Sequence, residues 1–392
     1  MPIASAAPPL ADKPHTIVAS FGSRSYAPGE AAVLTLRPWV AGESLQIFRC
    51  GPPAPRSRVD DALRGVSVDS ALAVTSARVV VKVGDWQSGL YFARVDGPGS
   101  LTGFAPFVVR PRVPGLRRVA VVLPTNTWEA YNFRDSDHDG IGDTWYADPR
   151  IRSVDLTRPF LDRGVPPHFR GYDQGFLWWL GAHHKEVDFY ADDDLARIRT
   201  GAELARLYDL VVFSGHEEYV TTHAYDVVQS FRDRGGNLLF LSANNFFYRV
   251  DLRGHRIYKK GHWSALARDG ERLTGLVYLG WSHNRYRNRP YVVTGERAAP
   301  WLFRDTGLRD GSTFGNYGIE IDHLGPRPPH SLITLADIPN DFGPGQTADM
   351  IYYTTPAGAK VFSAGVMNFG GSALWPPVSR LLENLWARTS TP

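Results

Sequence analysis

From Thr16 to Val109 the apolar positions fall in short runs, IVASF, AAVLTLRPWV, SLQIFRC, ARVVVKV, GLYFARV and FAPFVVR, with turn signals such as Ala27-Pro28-Gly29 and Gly97-Pro98-Gly99 between them. This pattern predicts a small antiparallel sandwich over residues 15–112. Pro111-Arg112-Val113-Pro114-Gly115 reads as a linker, because two prolines and a glycine continue neither a ladder nor a helix. Beyond it the apolar runs become continuous: RRVAVVLP, EVDFYA, YDLVVFSG and GNLLFLSA. Runs apolar on both faces predict parallel strands. Between the last two lies THAYDVVQSFRDRGG, where Tyr225, Val228 and Phe231 share a helical face and a glycine pair supplies the stop. Strand, helix and strand in about 35 residues form a βαβ unit, so residues 115–392 are expected to build an α/β domain on a parallel sheet with helices on both sides. Residues 254–356, with stretches such as GWSHNRYRNRPYVV, break the alternation and read as a β-rich insertion. AKVFSAGVMNFG and VSRLLENLWAR then restore a strand and a helix.

The 392 residues are 43% hydrophobic and 21% charged, outside the range of disordered chains. The 38 glycines and 29 prolines follow no three-residue period, which favours a loop-rich fold over collagen. A net charge of +3, with the basic residues scattered, lacks the footprint of a nucleic-acid binder. Cys50 is the single cysteine, so neither a disulfide scaffold nor a cysteine zinc site is expected. No apolar run reaches the roughly 18 residues of a membrane span. The start MPIASAAPPLADKP has neither a basic nor an apolar signal-peptide region, and the compartment stays open.

In an open parallel sheet, ligands gather beyond the carboxyl ends of the strands. Three such places are rich: TNTWEAYN (125–132), SGHEEY (214–219) and ANNFFY (243–248). On an extended chain His216 and Glu218 point to one side and Glu217 to the other. They read as metal ligands or an acid/base pair, or else as a solvated loop. Asn244 and its neighbour Asn245 could aim an amide at the same spot, or simply occupy a turn with positive φ. Asp135-x-Asp137-x-Asp139-Gly140-x-x-Asp143 matches a calcium-loop template, except that Tyr146 stands at the twelfth position, where a bidentate Glu is usual. The rival is a solvated acidic turn. A nucleophile elbow and a phosphate loop are both missing, which leaves metal-assisted or acid/base hydrolysis if the chain is an enzyme.

The blocks SYAPGE and LQIFRCG in the sandwich, TWEAYN, RGYDQG, FSGHEEYV and LSANNFFYRV together resemble the large (beta) subunit of the N,N-dimethylformamidase family, from about residue 16 onward. The resemblance implies an immunoglobulin-like sandwich followed by a glutamine-amidotransferase-like α/β domain without that fold's cysteine. It implies a mononuclear ferric iron, Fe(III), held by Tyr131, Tyr172 and Glu218. His216, Asn244 and, with less motif support, Glu320 fall at catalytic positions. Phenolates and carboxylate are hard oxygen donors suited to a hard, highly charged cation. The family's large subunit is longer, carries a lectin-like domain and works with a small subunit, so substrate identity does not transfer.

The expected function is therefore iron-dependent hydrolysis of an amide C–N bond in a small molecule, with Ca2+ as a second cation in the Asp-rich loop. A homo-oligomer or a small partner subunit would complete the assembly, with no nucleic acid or membrane involved. Trp128, Trp178 and Trp179 suggest a bulky apolar substrate, or else core packing. The rival function is a non-catalytic, calcium-stabilised protein binding carbohydrate or a partner.

Overall fold

The computed structural model describes residues 11–51, 63, 65–266, 268 and 270–391. The α/β part is organised around a nine-stranded sheet, in the order Asp188–Ala191, Val119–Leu123, Leu210–Phe213, Asn237–Phe240, Lys360–Ser363, Ala348–Thr354, Ile333–Ile338, Arg289–Val293 and Thr313–Tyr317. The first five strands pair in parallel and the rest antiparallel. The continuous apolar runs have a direct cause here, since both faces of the parallel strands are covered. Val121, Leu123, Val212 and Leu239 face a core with Phe176, Trp179, Leu381 and Leu385. Ala120, Val122, Val211 and Leu238 face one with Leu204, Tyr225, Val228 and Phe231. The helix Thr222–Arg232 forms where the pattern placed it, and the Thr221 hydroxyl caps it by accepting from the Ala224 N–H at 3.1 Å.

The stretch 254–356, read from the sequence as an insertion, supplies four of the nine strands. Alternation failed as a signal because antiparallel extension needs no crossover helix. The same stretch builds two smaller sheets. Arg256–His262 joins Ser153–Asp155, Tyr248–Arg253 and Tyr219–Thr221, and Val277–Trp281 pairs with Glu320–His323.

Residues 18–109 hold a three-stranded sheet, Val18–Phe21, Ala31–Arg37 and Arg78–Lys82, and a six-stranded one containing Ser44–Cys50, Gly89–Asp96 and Thr102–Val109. Leu34, Ile47, Tyr91, Ala93 and Phe107 fill the space between them. Most pairings are antiparallel, but Ser25–Tyr26 runs parallel to Val108–Val109. Leu90, Phe92, Phe104 and Val108, on the opposite face of the larger sheet, join the core that contains Val119, Phe160 and Phe169. This sheet is therefore covered on both sides. Mixed α/β architecture is the overall result.

Candidate active site at the carboxyl rim of the parallel sheet

Val119–Leu123 ends at Pro124 and turns directly into the short helix Thr125–Ala130, with Tyr131 at its C-terminal boundary. Asp192, just past the strand Asp188–Ala191, holds the start of that helix. Its carboxylate accepts the Asn126 N–H at 2.7 Å and its own N–H donates to the Thr125 hydroxyl at 3.1 Å. The helix in turn grips the segment after Leu210–Phe213. The Glu218 N–H donates to Thr127 Oγ1 at 3.1 Å, and Asn126 Nδ2 donates to the Tyr219 carbonyl at 3.1 Å. After Asn237–Phe240 the chain passes through Asn244 at φ +55° and Phe246 at φ +56°, left-handed angles that L-residues rarely adopt. The turn is fixed by the Asn244 N–H donating to Asp322 Oδ1 at 2.9 Å and the Phe246 N–H donating to the Glu217 carbonyl at 2.7 Å.

Tyr172 closes the short helix Phe169–Tyr172, which packs against Gly370–Ser372. A Cβ on Gly371 would lie 1.8 Å from the Gly171 carbonyl oxygen, so only glycine permits this approach.

The residues that sequence reasoning singled out on these segments come together. His216 Nε2 lies 3.5 Å from Glu218 Oε2 and 4.0 Å from Glu320 Oε2, and Asn244 Nδ2 donates to Glu320 Oε2 at 2.8 Å. The Tyr131 ring lies 5.5 Å from that of His216. His168, absent from the sequence reading, links the two tyrosines. It meets Tyr131 edge-on at 5.9 Å and stacks on Tyr172 at 5.0 Å. Burial raises the Tyr131 and Tyr172 phenols and the Glu320 carboxyl, and the neighbouring carboxyl groups add to the shift. Tyr146 also went unrecognised. Its hydroxyl donates to Glu218 Oε2 at 3.1 Å, and its ring lies 4.5 Å from that of Tyr131.

Asn245 belongs to the scaffold, since its amide accepts from the Glu217 N–H and donates to the Ser242 carbonyl. Glu217 points away from His216 and Glu218, as strand alternation predicts, and shares a hydrogen bond with Asp192. Trp128 and Trp179 are 4% and 0% exposed, which removes them from any substrate surface. The Trp128 indole N–H donates to Asp173 Oδ2 at 3.2 Å, and the Trp179 indole N–H donates to Ser379 Oγ at 3.1 Å. In the Asp-rich loop the carboxylates of Asp135, Asp137 and Asp143 have ligand atoms within 4.8 Å of one another. Asp139 is not among them, and its Oδ1 accepts the Ile141 N–H at 2.8 Å inside its own turn.

Burial dominates the electrostatics of the cluster. It pushes the Glu218 carboxyl up to about 7, against the hydrogen bonds from Tyr131 and Tyr146 that favour its charged form. It pushes Glu320 well above the carboxylate range, and Asp322 and Asp173 up to about 7. Burial lowers His216 to about 3, so the imidazole is neutral and able to accept a proton. Two carboxyls this close cannot both ionise without a cation beside them. Lys259 supplies only a distant charge and lies over the Trp145 and Tyr248 rings. His216 Nε2 and Asn244 Oδ1 are also buried without hydrogen-bond partners. Hard oxygen donors and unspent polar atoms in one buried cluster suit a hard cation.

This predicts the pH response of the metal-free protein. Carboxyls raised in the fold keep protons that the unfolded chain has released, so their contribution is lost as pH rises from about 4 to about 7. His216 works in the opposite sense, adding stability as pH rises from 3 toward the ordinary imidazole value, but it is outnumbered by Glu218, Glu320, Asp322 and Asp173. Melting of chelator-treated protein is expected at lower temperature at pH 8 than at pH 5. A higher midpoint at pH 8 would refute this charge assignment.

A cavity of about 180 Å3, lined by Asn244, Phe247, Trp263, Tyr278 and Asp322 among others, opens beside the cluster. A larger one of about 750 Å3, between the sandwich and the helix Gln174–Ala182, shares none of the cluster's side chains.

The family described as N,N-dimethylformamidase beta subunit-like, C-terminal, matches residues 67–376. The chain belongs to this family. Among similar proteins, the N,N-dimethylformamidase beta subunit of Paracoccus aminophilus is 25% identical over 340 residues, 67% of this chain and 43% of its own length. That of an Alcaligenes species is 24% identical over 308 residues, 60% of this chain and 40% of its own. The chain thus spans less than half the length of the dimethylformamidase subunits it matches. A superoxide reductase (neelaredoxin) from Ignicoccus hospitalis covers 24% of this chain and 80% of its own at 10% identity. Its TM-score is 0.17, too slight a likeness to bear on fold or chemistry. Within the dimethylformamidase family match lie all six residues of the rim cluster, from Tyr131 to Glu320. No helix among the described residues is long and apolar enough to cross a membrane.

Proposed function

We propose that the chain carries the active site of a hydrolase that cleaves the C–N bond of a small-molecule amide, with ferric iron held by Tyr131, Tyr172 and Glu218. One observation carries the reading: His216 Nε2 lies 3.5 Å from Glu218 and 4.0 Å from Glu320, with Tyr131 packed on His216 and both Tyr131 and Tyr172 on His168, in one buried cluster that has no paired Lys or Arg among the described residues. The two relatives named as dimethylformamidase subunits support the reaction class. When bound, the iron would polarise the amide carbonyl and acidify water.

The chain's own residues do the rest. Nε2 of the uncharged His216 lies 3.5 Å from Glu218 and has no hydrogen-bond partner among the described residues, so it can accept a hydrogen bond from the attacking water. An ionised Glu218 beside it would offset the burial that disfavours the imidazolium. Glu320 is held in its protonated form, and Oε2, engaged by Asn244 at 2.8 Å and 4.0 Å from His216, can pass that proton to the departing amine. Asn244 orients Glu320 through one amide N–H and keeps a second N–H to donate to a developing oxyanion.

The sandwich is proposed as immunoglobulin-like and the larger part as amidotransferase-like. Calcium among Asp135, Asp137 and Asp143 is a second proposal, supported by the approach of their oxygens. A partner subunit is a third, supported by the beta-subunit names of the relatives. Those names also leave the non-catalytic binding alternative without support. Protein purified without added metal is expected to contain about one iron per chain, absorb visible light through phenolate-to-iron charge transfer, and release amine from small amides. Iron-free protein that hydrolyses amides at the same rate would overturn the proposal.

A further inference from the structure

Of the phenols gathered around Glu218, the proposed ferric centre uses Tyr131 and Tyr172 and leaves Tyr146 and Tyr219 without a role. Trp145 and Tyr146 are consecutive on the segment leaving the Asp-rich loop, and Glu218 and Tyr219 are consecutive beyond the strand Leu210–Phe213. The two pairs interlock. Trp145 Nε1 lies 3.2 Å from the Tyr219 hydroxyl, which is hydrogen-bonded to the Tyr146 hydroxyl. The Tyr146 oxygen lies 3.1 Å and 3.3 Å from the two Glu218 oxygens.

The ends of this chain fix its direction. An indole N–H can only donate, and an ionised carboxylate can only accept. Trp145 therefore donates to Tyr219, Tyr219 to Tyr146, and Tyr146 to Glu218. Hydrogen bonds in such a series strengthen one another, and the last is charge-assisted. The rings are locked as well, with Trp145 5.2 Å from Tyr219, Tyr219 stacked on Tyr248 at 5.3 Å, and Tyr146 4.5 Å from Tyr131.

We infer that Tyr146 is a positioning residue for Glu218, holding its carboxylate by a hydrogen bond while Trp145 and Tyr219 aim that hydroxyl. The inference rests on the proposed ferric centre. A carboxylate with some of its lone pairs engaged by a phenol has a fixed orientation and offers the remainder to a cation, as outer-shell partners of metal-ligating carboxylates do. The Tyr146 hydroxyl already accepts one hydrogen bond and donates another, which suits it to hold a ligand rather than to be one. It is 40% exposed, so its ring also covers Tyr131 at the surface while its hydroxyl stays inside.

The test is ferric iron titrated into the chelator-treated chain, followed by the phenolate-to-iron absorption, in wild type, Tyr146→Phe, Trp145→Phe and Tyr131→Phe. Tyr146→Phe keeps the ring on Tyr131 and is expected to weaken iron binding about 10- to 100-fold while preserving the absorption per bound iron. Trp145→Phe, which keeps every phenol, is expected to weaken binding in the same direction by a smaller factor. Wild-type affinity in Tyr146→Phe overturns the inference, as does a loss of absorption per iron matching that of Tyr131→Phe, which would make Tyr146 a ligand. If Tyr146→Phe does not fold, Trp145→Phe decides, and unchanged affinity overturns the inference. A wild-type chain that takes up no ferric iron removes the centre and this inference together. Binding by wild type with no effect of either variant removes the inference alone.

Discussion

Tyr131→Phe is expected to lower the iron content, and the visible absorption with it, and to lower amide hydrolysis by more than about 100-fold, the upper end for loss of an outer hydrogen-bond partner. Removing one phenol oxygen deletes a proposed ligand and leaves the ring in its place between Tyr146, His168 and His216. The fold therefore has no reason to change, and a defect in iron content with an unchanged circular dichroism spectrum isolates the chemistry. Glu218→Gln should act alike, because an amide supplies no negative charge and still fills the same buried space. If either variant retains iron and absorption at wild-type levels, the ligand assignment fails.

The second large effect is at a distance from the rim. Glu129, fully buried on the helix that ends in Tyr131, forms an ion pair with Arg24 from the sandwich and lies 3.5 Å from Arg158. Arg24 also donates to the Arg158 carbonyl at 2.7 Å, and Arg158 to the Glu129 carbonyl at 2.6 Å. Arg24→Ala leaves a buried carboxylate with half its compensation, a change that costs about 3–5 kcal/mol when a pair is fully broken. A loss of about 3 kcal/mol is expected by denaturant titration, together with weaker iron uptake as the Tyr131 helix loosens. Arg24→Met combined with Glu129→Gln should recover part of the stability, because the uncompensated carboxylate is gone and only Arg158 is left short of a partner. A double variant as unstable as Arg24→Ala would show that packing rather than charge is responsible.

The parallel strands were legible in the sequence because burial on both faces leaves a continuous apolar run, and with them came the rim. His216, Glu218 and Asn244 stand directly after two of those strands, so a period argument alone brings them near each other. Tyr131 and Tyr172 needed the family motifs, since nothing in spacing separates them from the other tyrosines. Tyr146 entered the sequence reading only as a departure from the calcium-loop template, at a position where a carboxylate is usual. Its contact with Glu218 spans 72 residues of sequence, and no local pattern carries such a pairing. Arg24 was invisible for the same reason, its partner lying beyond the linker. Asp139 shows the limit of a template match, since the right spacing still leaves its carboxylate outside the group formed by the other three. The β-rich stretch was legible as strands but not as part of the main sheet, because an antiparallel edge leaves no signature of which sheet it joins.

The larger sheet of the sandwich buries Leu90, Phe92, Phe104 and Val108 against the core that also contains Val119 and Phe169. Its strands therefore cannot be exchanged as a cassette. A graft from an unrelated protein, however well folded by itself, would present a hydrophilic face where this chassis requires an oily one, and both the graft and its recipient would be driven toward aggregation.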